Sequence, residues 1–153
     1  METFVIDTNS LIELDRFNKN VFKSLWENIN EMCDNKSLFS VMEVYRELEK
    51  IDDRIKQYWE NKNHIFLELG EEEQIATTQL ECFEKFQEYG TNTTNNLWAD
   101  PYLISYGITK DAIVITEESL NSQPERKIPY VCNQLDITCL NLDSFMEYQN
   151  WEW

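Results

Sequence analysis

Hydrophobic positions along this chain follow two periods in alternation. Phe4-Val5-Ile6, Ala112-Ile113-Val114-Ile115 and Ile137-Thr138-Cys139-Leu140 are short apolar runs rich in β-branched residues, the pattern of strands covered on both faces. Ser37-Leu38-Phe39 is a weaker run that fits a further strand ending at Ser40. Between these runs the spacing turns helical. Residues 8–16 read as a short helix, and Val21, Phe22, Leu25, Trp26, Ile29 and Met32 predict a longer one over 20–33, broken at Asp34-Asn35-Lys36. Ser40-Val41-Met42-Glu43 matches a capping box, so a helix is expected from Ser40 with Val41, Val44, Leu48 and Ile51 on its buried face. Residues 52–66 continue as helix with Ile55, Tyr58, Trp59 and Phe66 inward, and Ile75, Leu80, Phe83 and Phe86 place another over 71–89. Gly90 to Asn96 is a loop, Pro101 belongs in a first helical turn beside Asp100, and helices are expected over 128–135 and 142–150. Strands alternating with helices give an α/β chain with a central parallel sheet of about four strands joined by right-handed crossovers.

Length and composition narrow the class. The 153 residues, 42% hydrophobic and 13% aromatic, suit one globular domain with a sizeable core. No apolar run approaches the ~18 residues of a membrane span and no signal peptide opens the chain, so a cytoplasmic protein is expected. Cys33, Cys82, Cys132 and Cys139 are widely spread and His64 is the one histidine. That spacing does not suit structural zinc, and four reduced, buried thiols are expected. The charge balance is 29 Asp+Glu against 13 Lys+Arg, a net charge of −16. Nucleic-acid binding ordinarily uses a basic footprint, so the acidity points to a basic partner, to carboxylates gathered around cations, or simply to a soluble acidic surface.

The chemistry-bearing candidates stand at the ends of the apolar runs. Asp7 follows the first strand, Glu43 and Glu47 share a face of the helix after the second, and Thr116, Glu117 and Glu118 follow Ile113-Val114-Ile115. Asp100 opens a helix and would have to reach the same edge from that side. Parallel strands gather such groups along the carboxyl edge of the sheet, where ligands of open α/β folds bind. Clustered carboxylates stay ionised only with cations among them, and oxygen donors select hard divalent metals. Each acid also has a plainer role. Asp7 and Asp100 suit helix caps, Glu43 suits the capping box with Ser40, and Glu117 and Glu118 suit a solvated pair; Glu47 has no capping role. His64 reads as a surface residue. The isolated Gly70, Gly90 and Gly107 form no phosphate-binding loop, and Trp151-Glu152-Trp153 either packs back on the body or serves a partner.

In combination and order these motifs resemble those of PIN-like domains, metal-dependent nucleases that include toxin-type members. Val5-Ile6-Asp7-Thr8-Asn9-Ser10-Leu11-Ile12 resembles their opening motif, Val44-Tyr45-Arg46-Glu47-Leu48 the second acidic motif, and Ala99-Asp100-Pro101-Tyr102-Leu103-Ile104 the third. Val114-Ile115-Thr116-Glu117-Glu118 stands where the family has a Thr followed by an acid. Trp98 to Tyr102, Thr116 to Glu118, Lys127-Ile128-Pro129 and Cys132 are similar to the DUF4411 subfamily.

The resemblance implies a three-layer α/β/α fold over 1–153, with a helical segment at about 52–90 inserted between the second and third acidic motifs. It also implies one or two Mg²⁺ or Mn²⁺ ions held by Asp7, Glu47 and Asp100, with Glu118 or Glu117 as fourth acid and Thr8, Thr116 and Glu43 in support. The substrate implied is RNA, with Arg16, Lys19, Arg46, Lys50 and Lys127 as candidate phosphate contacts. A toxin of this kind would have a cognate antitoxin that binds DNA, and self-association is compatible with it. Two functions are therefore carried forward: a metal-dependent ribonuclease, and a PIN-like module whose acidic edge binds a basic protein.

Overall fold

A computed structural model describes residues 2–80, 99–118 and 128–152. Five strands lie in one parallel sheet: β1 (Phe4–Ile6), β2 (Leu38–Val41), β3 (Phe66–Leu67), β4 (Ile113–Ile115) and β5 (Cys139–Leu140), in the order β3-β2-β1-β4-β5. The described helices are α1 (Thr8–Leu14), α2 (Lys23–Asp34), α3 (Met42–Ile51), α4 (Asp53–Glu60), α5 (Glu71–Leu80), α6 (Asp100–Lys110), α7 (Ile128–Gln134) and α8 (Leu142–Tyr148). None of the helices searched among the described residues is long and apolar enough to cross a membrane.

β1 is central because the chain winds away from it in both directions. Phe4 and Val5 pair with Leu38 and Phe39 on one side, and Phe4, Val5 and Ile6 pair with Ile113, Val114 and Ile115 on the other. All of these except Phe4, Phe39 and Ile113 are fully buried, and those three are nearly so. The alternation of a strand sends successive side chains to opposite faces. Accordingly the Phe4 ring meets Phe145 of α8 at 5.0 Å, while the Phe39 ring meets Tyr106 of α6 at 5.2 Å. α6 packs across β1, β2 and β4, and α5 packs along α6. Gly107 lets α6 come close to the segment before β5, since a Cβ there would stand 2.9 Å from the Ile137 side chain.

Three local expectations are corrected. Residues 52–66 do not continue one helix: Asp52 is extended (φ −156°) and caps α4 by accepting the Arg54 N–H at 2.8 Å. After α4 a 3₁₀ turn, Asn63–Ile65, leads into β3, so Phe66 is an edge-strand residue that meets the Tyr45 ring at 5.2 Å and adds a fifth strand. The capping box does not form. Ser40 remains in β2 and its hydroxyl donates to the Ile6 carbonyl at 2.6 Å, while Val41 is the residue at the α3 N-cap. A strand-to-helix junction without a loop leaves the serine on the sheet, where its hydroxyl donates to the neighbouring strand's carbonyl instead of accepting from an N–H of the first α3 turn. The thiols are also not uniformly buried: Cys33 and Cys132 are, Cys139 is half-buried, and Cys82 lies outside the described residues. The loop from Gly90 to Asn96, the end of the 71–89 helix, Lys127 and Trp153 lie outside them as well. Trp151 packs back on the body, its ring 5.3 Å from that of Phe145.

Candidate metal centre

The strand order reverses between β1 and β4, so the crossovers leave β1 in opposite directions and open a crevice at the carboxyl ends of those two strands. Asp7 and Thr116 are the first residues beyond them. The Asp7 N–H still bonds the Ile115 carbonyl at 3.0 Å, and the Thr116 N–H bonds the Leu140 carbonyl at 2.9 Å. Both residues are therefore fixed by the sheet itself.

Asp7 does cap a helix, and it does more. Its Oδ1 accepts the Ser10 N–H at 2.8 Å, while Oδ2 accepts the Thr116 hydroxyl at 2.5 Å. The residue is 4% exposed. Burial pushes its carboxyl up to about 6, against the hydrogen bonds from Thr116 and Ser10 that lower it, and the charge of Glu118 raises it further. Such a carboxylate is held in place and short of solvation, and a cation beside it would relieve that.

Glu47 reaches the same place from α3. Its Oε2 accepts the Thr8 hydroxyl, and its Oε1 accepts the Ala99 N–H at 3.3 Å. Partial burial raises its carboxyl above the ordinary value; the Thr8 and Ala99 hydrogen bonds and Lys50 oppose that, and Glu43 reinforces it. Thr8 thus ties the first acidic motif to the second, and Ala99 ties the second to the third. Asp100 is the first residue of α6, with Ala99 rather than Asp100 at the N-cap.

A cavity of about 320 Å³ is lined by Asp7, Thr8, Asn9, Glu47, Lys50, Ile51, Asp100 and Glu118. Four carboxylates from four separate places in the chain thus meet at one crevice. Glu118 is oriented from both ends: its N–H bonds the Thr116 hydroxyl at 3.1 Å and its Oε2 accepts the Ile128 N–H at 2.8 Å. Glu117 points elsewhere, accepting the Leu142 N–H at 2.7 Å at the start of α8. Glu43 is buried and does not line the cavity; its Oε1 is 3.1 Å from Arg46, and its Oε2 has no hydrogen-bond partner among the described residues.

The candidate cations are distributed unevenly. Lys50 is the one cation among the described lining residues. Arg16 pairs with Glu13 at 3.3 Å, and Arg46 is engaged with Glu43. Lys19 pairs with Asp15 at 3.1 Å and lies over the Trp26 and Tyr58 rings at 4.3 and 4.2 Å. Asn9 and Ile51 also line the cavity. Asn9 lay inside the opening motif without an assigned role, and Ile51 read as a core position of α3, whereas it is 56% exposed.

The donor set suits a hard divalent cation: carboxylates, a threonine hydroxyl and an asparagine amide, with no histidine or thiol among the described lining residues. Among the described residues, no three Asp, Glu, His or Cys side chains form a preassembled cage. Mg²⁺-type ions keep several waters and take one or two carboxylates directly, so carboxylates that meet at one cavity without forming a cage are compatible with such an ion.

The central parallel sheet and its helical layers form a PIN-like α/β fold. The chain belongs to the family described as "Domain of unknown function (DUF4411)", whose model matches residues 4–153. Among solved structures it is similar to a chain in the crystal structure of VapBC2 from Rickettsia felis bound to a DNA fragment from their promoter, with a TM-score of 0.55 and 13% sequence identity, over 92% of this chain and 99% of that one. That likeness is one of fold. No curated protein matches the chain.

Proposed function

We propose that this protein is a divalent-metal-dependent ribonuclease acting at the cavity around Asp7. The observation that carries the reading is the convergence of Asp7, Glu47, Asp100 and Glu118 on one crevice at the sheet's reversal point. Asp7, Glu47 and Asp100 would hold Mg²⁺ or Mn²⁺, with Glu118 as the fourth acid. When bound, such an ion supplies an activated water at neutral pH and charge stabilisation at a phosphoryl oxygen.

The chain's own groups supply position and proton handling. Thr116 and the Ser10 N–H hold the two Asp7 oxygens, so this carboxylate need not reorganise when substrate arrives. Thr8 and the Ala99 N–H do the same for Glu47. Glu47, with its affinity for protons raised by burial, is suited to take a proton from an attacking water. Lys50 and Asn9, both on the cavity wall, are placed to contact a phosphate. The VapBC2 likeness supports a toxin working against a DNA-binding antitoxin, and the acidic crevice suits insertion of a basic side chain from such a partner.

One observation favours the second reading, a module that binds a basic protein without catalysis: most of the candidate phosphate contacts are committed to acids elsewhere, against a net charge of −16. Incubating the protein, stripped of co-purifying partners, with tRNA, rRNA and mRNA in Mn²⁺ or Mg²⁺ separates the two. The ribonuclease reading expects cleavage that chelator stops and that Asp7→Asn and Asp100→Asn reduce by at least a hundredfold while the fold is retained. Intact RNA across that panel would leave the binding module standing.

A further inference from the structure

Helix α7 ends in a turn that brings two cysteines together. The Ile137 N–H bonds the Cys132 carbonyl at 2.8 Å, the Asp136 N–H bonds the Asn133 carbonyl at 3.4 Å, and Asp136 is left-handed at φ 57°. This is the hydrogen-bond pattern of a Schellman turn. It reverses the chain within residues 135–138 and sets Cys139 of β5 beside Cys132 of α7, the two thiols hydrogen-bonded to each other. Cys139 is held in the sheet on both sides. The Thr138 carbonyl accepts the Val114 N–H and the Leu140 carbonyl accepts the Thr116 N–H, each at 2.9 Å.

The two thiols differ in access. Cys132 is fully buried, while Cys139 is half-buried and lines a cavity of about 350 Å³ with Pro129, Asn141 and Ser144. The hydrogen bond with Cys139, and then burial, push the Cys132 thiol well above the ordinary thiol range. No third ligand completes a metal site here, since among the described residues no three Asp, Glu, His or Cys side chains form a cage. A reachable thiol backed by a buried one is instead the arrangement of an attacking and a resolving cysteine.

We propose that Cys139 and Cys132 are a reversible dithiol–disulfide couple that exchanges with low-molecular-weight disulfides, cationic ones in preference to anionic. The Cys139 thiolate attacks one sulfur of the small disulfide, expelling a thiolate and forming a mixed disulfide. The bonded Cys139 sulfur then carries no charge to hold the Cys132 proton, which passes to the expelled thiolate. Cys132 attacks the Cys139 sulfur and expels the second thiol, so two protein thiols become one disulfide and the reagent becomes two thiols. The charge preference follows from the cavity: Glu117 and Glu118 also line it, with no basic side chain among the described lining residues. Ile128 at the start of α7 donates to Glu118, and Leu140 of β5 accepts from Thr116, so the couple would join the two elements that hold those residues. The chemistry does not depend on the ribonuclease reading.

Cystamine is the probe, with 3,3′-dithiodipropionate as the anionic arm, each added to the reduced full chain at pH 8 and low salt. Acid-quenched peptide maps should show Cys132 joined to Cys139, and dithiothreitol should return both thiols. Cystamine should form this link at least tenfold faster than the dipropionate, a margin that shrinks in high salt. Cys132→Ser should stop at a cysteamine mixed disulfide on Cys139. In Cys139→Ser, modification of Cys132 should be at least a hundredfold slower than that of Cys139 in the parent. Absence of the link, a parent that stops at the mixed disulfide, equal rates for the two reagents, or prompt modification of Cys132 in Cys139→Ser would each overturn the proposal. The parent map and Cys139→Ser, at a half-buried position, decide it even where Cys132→Ser does not fold.

Discussion

Asp7 is buried, hydrogen-bonded at both oxygens, and nevertheless less acidic than an ordinary aspartate. Four hydrogen bonds from two threonines and two backbone N–H groups hold Asp7 and Glu47, yet desolvation outweighs them on both carboxyls. The imbalance has a thermodynamic consequence. With a folded-state value near 6 against 3.8 for the free side chain, the native state binds the Asp7 proton more tightly than the unfolded chain. Stability from this group therefore falls as pH rises from about 4 through about 6, and above that the ionised carboxylate is a liability. Asp7→Asn removes the charge while keeping an acceptor for the Ser10 N–H. In metal-free buffer at pH 7.5 it should be more stable than the parent by about 1–2 kcal/mol, with the gain shrinking toward pH 4. Paired chemical denaturation curves at the two pH values measure this. An asparagine variant less stable at pH 7.5 would mean that the hydrogen bonds to the ionised carboxylate outweigh the cost of burying it.

At the level of elements, the site is a product of junctions. β1 passes into α1 and β2 into α3 with at most one residue between them, so Asp7 and the Glu47 face of α3 are set by the sheet rather than by loops. Ser40 shows how such a junction redirects a local signal. Its hydroxyl ties β2 to β1 through the Ile6 carbonyl instead of capping α3. Ser40→Ala should therefore cost about 1 kcal/mol of global stability and leave the helical signal of α3 in circular dichroism intact. Selective loss of helix would restore the capping role.

The same distinction explains what could be read from the chain. β1, β4 and the principal helices stood out because their apolar periods are set by burial on both sheet faces or on one helix face. β3 did not, since two edge residues, Phe66 and Leu67, offer no period to detect and Phe66 also fits the preceding helical spacing. The cavity's acids could be named because Asp7 and Glu118 follow strands, Asp100 opens a helix, and Glu47 lies on one face of the helix after β2 without a capping role. Two things could not be read: Glu117 and Glu118 separate into different roles only through Leu142 and Ile128, which are distant in sequence, and Cys132 and Cys139 are brought together only by the turn between α7 and β5.

Among the described residues, cavities of different character lie at the two edges of one sheet. Four carboxylates line the cavity at the carboxyl edge, and three bases line the one at the amino edge. With a net charge of −16 the protein repels a polyanion at long range, so close approach of RNA depends on screening and on cations gathered at the carboxyl edge. The proposed ribonuclease role thus rests on that edge holding a divalent ion through Asp7. Calorimetric titration of Mn²⁺ into the protein at pH 7.5 tests this most directly. The account predicts saturable binding of one or two ions per chain, weakened at least tenfold by Asp7→Asn and weakened again in the parent at pH 5, where Asp7 takes up its proton. Equal Mn²⁺ affinity in the parent and Asp7→Asn proteins would contradict it.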